Sequence, residues 1–185
     1  MENGNYAAAR SEIERFFWSD FCDNYLELAK ARLYKEYGEE RVQAQWTLYH
    51  ALLTVLKLLA PYLPFVTEEI YQELFRKWDS ALSIHISDWP IAPEEWINSD
   101  ADFAGKLLLE ILHAVRRQKA DLGISVGAQL ASLQIFVAQA HISLLEALSS
   151  DIQSATRAQE LVFSSLLKES ERDLQPLQVK LVLLL

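Results

Sequence analysis

The chain has 185 residues, of which 51% are hydrophobic, enough for a sizeable core in one domain or two small ones. Its formal net charge of −9 excludes broad binding to nucleic-acid phosphates, so any nucleic-acid contact must be local. No apolar run approaches the roughly 20 residues that span a bilayer, and no secretory signal is visible, so a cytoplasmic protein without membrane contact is predicted.

The first predicted helix runs from Tyr6 to a stop near Tyr37 and Gly38, where glycine suits a helix end. Apolar residues three or four positions apart predict its buried face: Ile13, Phe17, Phe21, Tyr25 and Leu28, with a second row at Trp18, Cys22, Leu26, Ala29 and Leu33. The remaining positions predict one solvated stripe, formed by Asp20, Asp23, Asn24, Glu27 and Lys30.

Two further helices follow at short intervals, which predicts antiparallel neighbours. Glu39 and Glu40 open the second helix and Pro61 ends it, since proline disfavours a helical predecessor. Its predicted buried row is Val42, Trp46, Tyr49, Leu53, Leu56 and Ala60. Pro64 or Thr67 starts the third helix, whose predicted inward residues are Ile70, Tyr71, Leu74, Phe75 and Trp78.

A boundary between two domains, 1–92 and 93–185, is predicted after a loop over residues 79–90. This loop contains a predicted extended piece at 83–87, and residues 93–96 form a helical turn. A fourth helix follows, capped by Asp100 and closed by Gly123.

The hydrophobic pattern then changes period. Leu133, Ile135 and Val137 alternate with Gln134, Phe136 and Ala138 and predict a strand. Short helices are predicted at 142–148 and 151–157, strands at 161–163 and 177–183, and a charged turn at 168–173. The predicted fold class is therefore α+β, mainly α: an antiparallel helical bundle followed by a small α+β subdomain with about three strands.

Four segments resemble one known family, the valyl-tRNA synthetases. FFWSDFCDNYLELAK at 16–30 is similar to the third helix of their anticodon-binding domain. LLAPYLPFVTEEIY at 58–71 and SIHISDWP at 83–90 resemble two later signatures, and HAVRRQKADLGI at 113–124 matches the helix that leads into the following α+β segment. The segments at 16–30, 58–71 and 83–90 are three landmarks in the family's order, which makes the resemblance fairly specific.

This resemblance implies a partial class Ia anticodon-binding bundle that binds the anticodon stem-loop of valine tRNA. The chain would be a fragment that positions tRNA for a catalytic domain of the same polypeptide. The family's two ATP-binding motifs, "His-Ile-Gly-His" and "Lys-Met-Ser-Lys-Ser", are missing from this sequence. We therefore expect no catalytic residues and no cofactor here, with ATP and magnesium used by the parent enzyme's catalytic domain.

Two groups of residues are candidates for tRNA contact. The end of the first helix offers Lys30, Arg32, Tyr34 and Lys35, where cations can hold phosphates and an aromatic ring can stack on an unpaired base. The fourth helix offers Arg116, Arg117 and Lys119 for the tRNA backbone. For both groups the alternative is an ordinary solvated surface.

No metal site is predicted. The four histidines are scattered, the single Cys22 allows no cysteine cluster, and Asp20, Asp23 and Glu27 fit a solvated helix side. The alternative function is a helical protein-interaction module without RNA binding. Self-association through an uncovered aromatic face around Phe17 and Phe21 is expected from the fragment interpretation as well.

Overall fold

A computed structural model describes residues 5–165 and 177–183 of the chain. These residues are mainly helical and include a small sheet, so the class α+β, mainly α, is confirmed. The chain divides into two compact units, Met1–Trp96 and Ile97–Leu185. Within the described ranges, no helix combines the length and apolar character that crossing a membrane requires.

The first unit opens with three continuous helical segments: α1 (Tyr6–Arg15), a π-helix (Phe16–Tyr25) and α2 (Leu26–Leu33). Asn5 caps α1, because its Oδ1 accepts the Ala8 N–H at 3.2 Å. The predicted helix end near Gly38 is wrong, since α2 ends at Leu33. Gly38 instead precedes the next helix, with a φ of +122° that favours glycine.

The π-helix changes which side chains are buried. The Asn24 Nδ2 donates to the Ser19 carbonyl at 2.8 Å, across the five-residue spacing of a π-helix. Each turn of the π-helix contains more residues than an α-helical turn. Its buried and exposed faces therefore differ from those predicted from α-helical spacing. Asn24, predicted to be solvated, is 6% exposed, and Trp18, predicted to be buried, is 63% exposed. The predicted faces are therefore wrong at both positions.

Two helices complete the framework of the first unit: α3 (Glu39–Leu59) and α4 (Pro64–Leu74). Proline at the first position of α4 costs no hydrogen bond, because that N–H has no partner within a helix. One apolar cluster joins these helices to the segment that follows them: Leu56, Ala60, Tyr71, Phe75 and Ile84.

Four apolar residues predicted to face this core are exposed instead. Val42 and Trp46 lie in the first half of α3, whereas its buried residues other than Ala44 lie in the second half. Leu74 and Trp78 lie at and beyond the end of α4 and are also largely exposed. Helical periodicity identified an apolar row, but packing covers only part of its length.

The segment 79–90 lacks a long element and is held by specific polar contacts. The Tyr71 hydroxyl, on a fully buried ring, donates to the Ala81 carbonyl at 2.8 Å. The extended piece predicted at 83–87 is wrong, because Ile84–Ile86 forms a 3-10 turn that buries Ile84. A second 3-10 turn, Glu94–Trp96, confirms the helical turn predicted there.

The second unit begins with the long helix α5 (Ser99–Asp121). Its cap is Asn98 rather than the predicted Asp100: the Asn98 Oδ1 accepts the N–H groups of Asp100 and Ala101, both at 3.0 Å. Gly123 closes the helix as predicted, with a φ of +69° and an Ile124 N–H bonded to the Lys119 carbonyl at 3.0 Å.

The rest of the second unit is a sheet with two short helices. Its elements are β1 (Leu130–Val137), α6 (Gln139–Ala147), α7 (Ser149–Thr156), β2 (Ala158–Ser165) and β3 (Leu177–Leu183). The sheet order is β2-β1-β3, with β1 parallel to β2 and antiparallel to β3. Leu133, Ile135 and Val137 are fully buried, as their alternation predicts. The turn predicted at 168–173 lies outside the described residues.

Arg157 adopts a left-handed backbone with a φ of +59°, which is uncommon for a residue other than glycine. It lies between α7 and β2, and its carbonyl accepts the Leu130 N–H at 3.0 Å, directly beside the first pair of β1 with β2. This sharp change of direction allows the strand to start immediately after the helix.

Asp79→Asn should reduce the stability of the first unit at neutral pH. Burial of Asp79 favours its neutral form, but the Lys57 ammonium 3.4 Å away and the N–H groups of Ala81 and Ser80 outweigh burial and hold the pKa of Asp79 below its ordinary value. A carboxylate whose pKa is lower in the folded than in the unfolded chain stabilises the fold at any pH above the unfolded pKa. This stabilisation disappears as the pH falls through the folded pKa. We expect a loss of about 1–2 kcal/mol at pH 7.

The loss should shrink as the pH falls below about 4, the ordinary pKa of an aspartate in the unfolded chain, and should disappear as the pH falls through the lower folded-state pKa of Asp79. All five tryptophans lie between residues 18 and 96, so tryptophan fluorescence in urea reports the first unit. If wild type and variant differ in free energy of unfolding by as much at pH 3 as at pH 7, the stabilising role of the ionised Asp79 is contradicted.

Candidate nucleic-acid interface

The end of α2, the following turn and the start of α3 form a structured corner, residues 30–41, which we name the α2–α3 corner. Its first turn is continuous with the helix, because the Tyr34 N–H donates to the Lys30 carbonyl at 3.0 Å. The Arg41 guanidinium donates back to the Glu36 carbonyl and so braces the turn. The positive φ of Gly38 then lets the chain enter α3.

Two tyrosine rings project from this corner into solvent. Tyr34 is 82% exposed and Tyr37 is 83% exposed, unusually high values for aromatic residues. Tyr34 was predicted as a contact residue, whereas Tyr37 was missed, although its place next to a glycine in a turn was visible in the sequence. Exposed rings of this kind can stack on unpaired nucleobases.

The predicted cations lie in the same corner, and Lys30 and Lys35 are paired with carboxylates. Lys30 Nζ contacts the Glu27 carboxylate, and Lys35 Nζ contacts the Glu40 carboxylate, each at 2.5 Å. The hydrogen bond and charge of Lys35, with the charge of Arg32 adding, outweigh slight desolvation and hold the pKa of Glu40 below its ordinary value. The corner thus combines cations, carboxylates and bare aromatic rings.

The second group of predicted contact residues lies on α5, in the other unit. Arg117 is exposed and Arg116 is half-buried. Lys119 is 1% exposed, and its Nζ donates to the carbonyls of Val126, Ala128 and Thr156 at 2.7–3.0 Å. The prediction that Lys119 contacts tRNA phosphates is therefore wrong for this structure, because all three of its N–H groups are used inside the protein.

An open apolar groove lies elsewhere in the first unit. It has a volume of about 390 Å³, and its walls include Phe16, Trp46, His50 and Trp96. The rings of Trp46 and Trp96 meet edge to face with their centroids 5.0 Å apart, and the centroid of the His50 ring lies 4.3 Å from that of Trp46. Nearly half of each tryptophan remains exposed, so this aromatic groove is an apolar surface available to a partner.

The residues of the two later sequence landmarks have structural roles. The Glu68 carboxylate accepts the Ser83 hydroxyl at 2.9 Å and the Ile84 N–H at 3.0 Å, and so attaches 83–87 to α4. The His85 ring lies 3.1 Å from the Pro64 carbonyl, a second link between the same segments. These landmark residues hold the first unit together.

Metal-binding chemistry finds no support in the described part of the chain. No three His, Cys, Asp or Glu side chains there come together in a way that could hold a metal ion. Burial and the nearby charge of Asp23 raise the pKa of the Cys22 thiol, so this cysteine is poorly suited to act as a thiolate ligand or nucleophile.

A helical unit with an exposed tyrosine and cation corner, joined to a small α+β unit, fits a class of RNA-contacting modules. Comparison with known families agrees, because residues 1–135 match the anticodon-binding domain of tRNA ligases. The chain belongs to this family, and within it to the region found in valyl-tRNA synthetases.

Valine–tRNA ligases of several organisms are similar to this chain. The one from Methanopyrus kandleri is 41% identical over 166 residues, 87% of this chain and 18% of that protein. The one from Rickettsia prowazekii is 39% identical over 175 residues, 89% of this chain and 20% of that protein. The one from Methanosarcina barkeri is 43% identical over 136 residues, 74% of this chain and 15% of that protein. The chain thus spans about a fifth or less of the length of these relatives.

Lys119→Met should destabilise the second unit by about 2–4 kcal/mol, because three carbonyls around the removed ammonium lose their donor. Hydrogen exchange of the β1 amides measures this loss directly in the second unit. Arg117→Met, two residues earlier on the same helix but exposed, should change stability by less than about 0.5 kcal/mol. Equal effects of the two changes would contradict the internal role of Lys119.

Proposed function

We propose that this chain is the tRNA-binding module of a valine–tRNA ligase. It binds the anticodon stem-loop of valine tRNA and positions that tRNA for aminoacylation by a catalytic domain of the same polypeptide. Membership of the anticodon-binding family and the valine–tRNA ligase relatives support the assignment. The contribution to the reaction is positioning of the substrate rather than acid or base chemistry.

We place the binding site at the α2–α3 corner, and the structure of this corner is the single observation that supports the location. An anticodon loop presents unpaired bases, and proteins read such bases by stacking them on aromatic or guanidinium planes. Tyr34 and Tyr37 supply two exposed rings, and Lys30, Arg32 and Lys35 supply positive charge beside them. An acidic chain can bind RNA in this way because a local contact needs only a few cations, and here they lie in the same corner as the exposed rings.

The remaining features of the proposal follow from the same assignment. The helices of the first unit form a partial antiparallel class Ia bundle, and the sheet of the second unit forms the small α+β segment that follows it. Arg116 and Arg117 contact the tRNA backbone. This chain itself catalyses nothing and binds no cofactor, while ATP and magnesium act in the catalytic domain. The site of action is the cytoplasm.

Replacement of the corner tyrosines tests the stacking. Tyr34→Ala and Tyr37→Ala should each weaken binding of a fluorescently labelled valine anticodon stem-loop by about 1–3 kcal/mol, the cost of one lost base stack. Fluorescence anisotropy measures the affinities. Tyr6→Ala is the matched control, because Tyr6 is also exposed and lies on α1. Unchanged affinity in both corner variants would reject this site.

Replacement of the cations tests the phosphate contacts. Lys30→Ala and Lys35→Ala should each reduce the slope of log affinity against log salt by about 0.7, the value for one phosphate contact in a single strand. Lys77→Ala, another exposed lysine of the first unit, should leave that slope unchanged. A slope that no variant alters would mean that these lysines do not touch phosphate.

A second candidate function, a protein-interaction module, rests on the aromatic groove and the exposed Trp18 on the π-helix. Large exposed apolar surfaces of this kind favour association with another protein or with a second copy of the chain. Sedimentation equilibrium of the wild type should show a concentration-dependent dimer, and Trp46→Ser should shift it towards monomer. A wild-type monomer at all concentrations would exclude self-association.

A further inference from the structure

The lysines of the α2–α3 corner are not bare cations, and this affects how the corner can bind RNA. Lys30 and Lys35 each lie within 2.5 Å of a carboxylate oxygen, from Glu27 and Glu40 respectively. All four side chains remain about half exposed, with 45–58% of their surface accessible. The pairs are therefore surface ion pairs that solvent, salt or a phosphate can reach.

Each carboxylate offsets part of the positive charge that a phosphate would meet at its lysine, and it competes with the phosphate for the ammonium N–H groups. Exposed ion pairs of this kind are weak, so replacement is feasible, but the exchange of one anion for another gains little by itself. An RNA that offers only its backbone therefore gains little at this corner. An RNA that also places unpaired bases on Tyr34 and Tyr37 gains the stacking in addition.

We propose that Glu27 and Glu40 determine RNA specificity at the corner by competing with phosphate for Lys30 and Lys35, which suppresses binding through the backbone alone. This inference rests on the proposed function, since it assumes that RNA binds at the α2–α3 corner. The two glutamates are specificity determinants that act through the lysines and do not themselves contact a base.

The hydrogen bond and charge of Lys35 lower the pKa of Glu40, as expected for a carboxylate paired with this lysine. The net charge of −9 adds a second, general repulsion of RNA. The test must therefore separate the local competition from the general charge.

The experiment measures binding of two RNAs to the full 185-residue chain and its variants by fluorescence anisotropy. One is the valine anticodon stem-loop, and the other is a fully paired RNA duplex with the same number of nucleotides, which offers its backbone but no unpaired bases. Glu27→Gln and Glu40→Gln should each raise the affinity for the duplex by about two- to five-fold, and the double variant should raise it further.

Two controls isolate the mechanism. Glu39→Gln changes the net charge equally within the same corner, but Glu39 has no ion pair with a lysine among the described residues. Asp102→Asn breaks the exposed Lys106–Asp102 pair of 2.6 Å on α5, away from the corner in sequence and in the other unit. Both controls should leave the affinity for the duplex within about 1.5-fold of wild type.

The outcomes separate this inference from the proposed function. If the tyrosine and lysine variants weaken stem-loop binding while the Glu27 and Glu40 variants leave duplex binding unchanged, the competition is refuted and the site stands. If Glu39→Gln raises affinity as much as Glu40→Gln, the effect is general charge and the competition is again refuted. If the tyrosine and lysine variants do not affect the stem-loop, the site itself is wrong.

Discussion

The carboxylate of Glu68 is the contact on which the first unit depends. Residues 79–90 have too little regular structure to hold their own position, yet Ile84 from this segment lies in the core beside Tyr71. Burial of the Glu68 carboxylate opposes its ionisation, but hydrogen bonds from Gln72, Ser83 and the Ile84 N–H outweigh burial and lower its pKa. A charged acceptor therefore fixes the segment that closes the apolar cluster.

The second unit uses the opposite arrangement, a buried cation held by neutral carbonyls. Burial, with the positive charge of Arg157 adding to it, lowers the pKa of Lys119. Its three carbonyl partners come from the turn after α5 and from the end of α7. One side chain thus connects the helix to both segments that lead into the strands. Each unit has its own polar connector, which agrees with the division at Trp96.

The sequence predicted the elements whose signals are local. Alternation of Leu133, Ile135 and Val137 identified β1, and Gly123 and Pro64 marked the end of α5 and the start of α4, because each residue acts through its own backbone geometry. Burial was predicted less well. Trp46 and Trp78 belong to apolar rows, but which part of a row is covered depends on partners distant in the sequence.

The errors at Asn24 and Lys119 share one physical cause. Both are polar residues that were assigned to solvent, and both are buried because the backbone offers acceptors where the side chain enters. In the candidate interface, Lys30, Arg32, Tyr34 and Lys35 were identified from their place at the end of a helix and by family resemblance. Tyr37 and the two glutamates were not, because their relevance depends on the shape of the turn and on side-chain pairing.

The left-handed backbone of Arg157 determines which substitutions would stabilise the second unit at this position. For a residue with a side chain this conformation costs about 1–2 kcal/mol, which the surrounding contacts must supply. The arginine also places a positive charge near the buried Lys119. Glycine or asparagine would fit the same φ with less strain and without that repulsion, so this helix-to-strand junction is a place where the unit can be made more robust without repacking its interior.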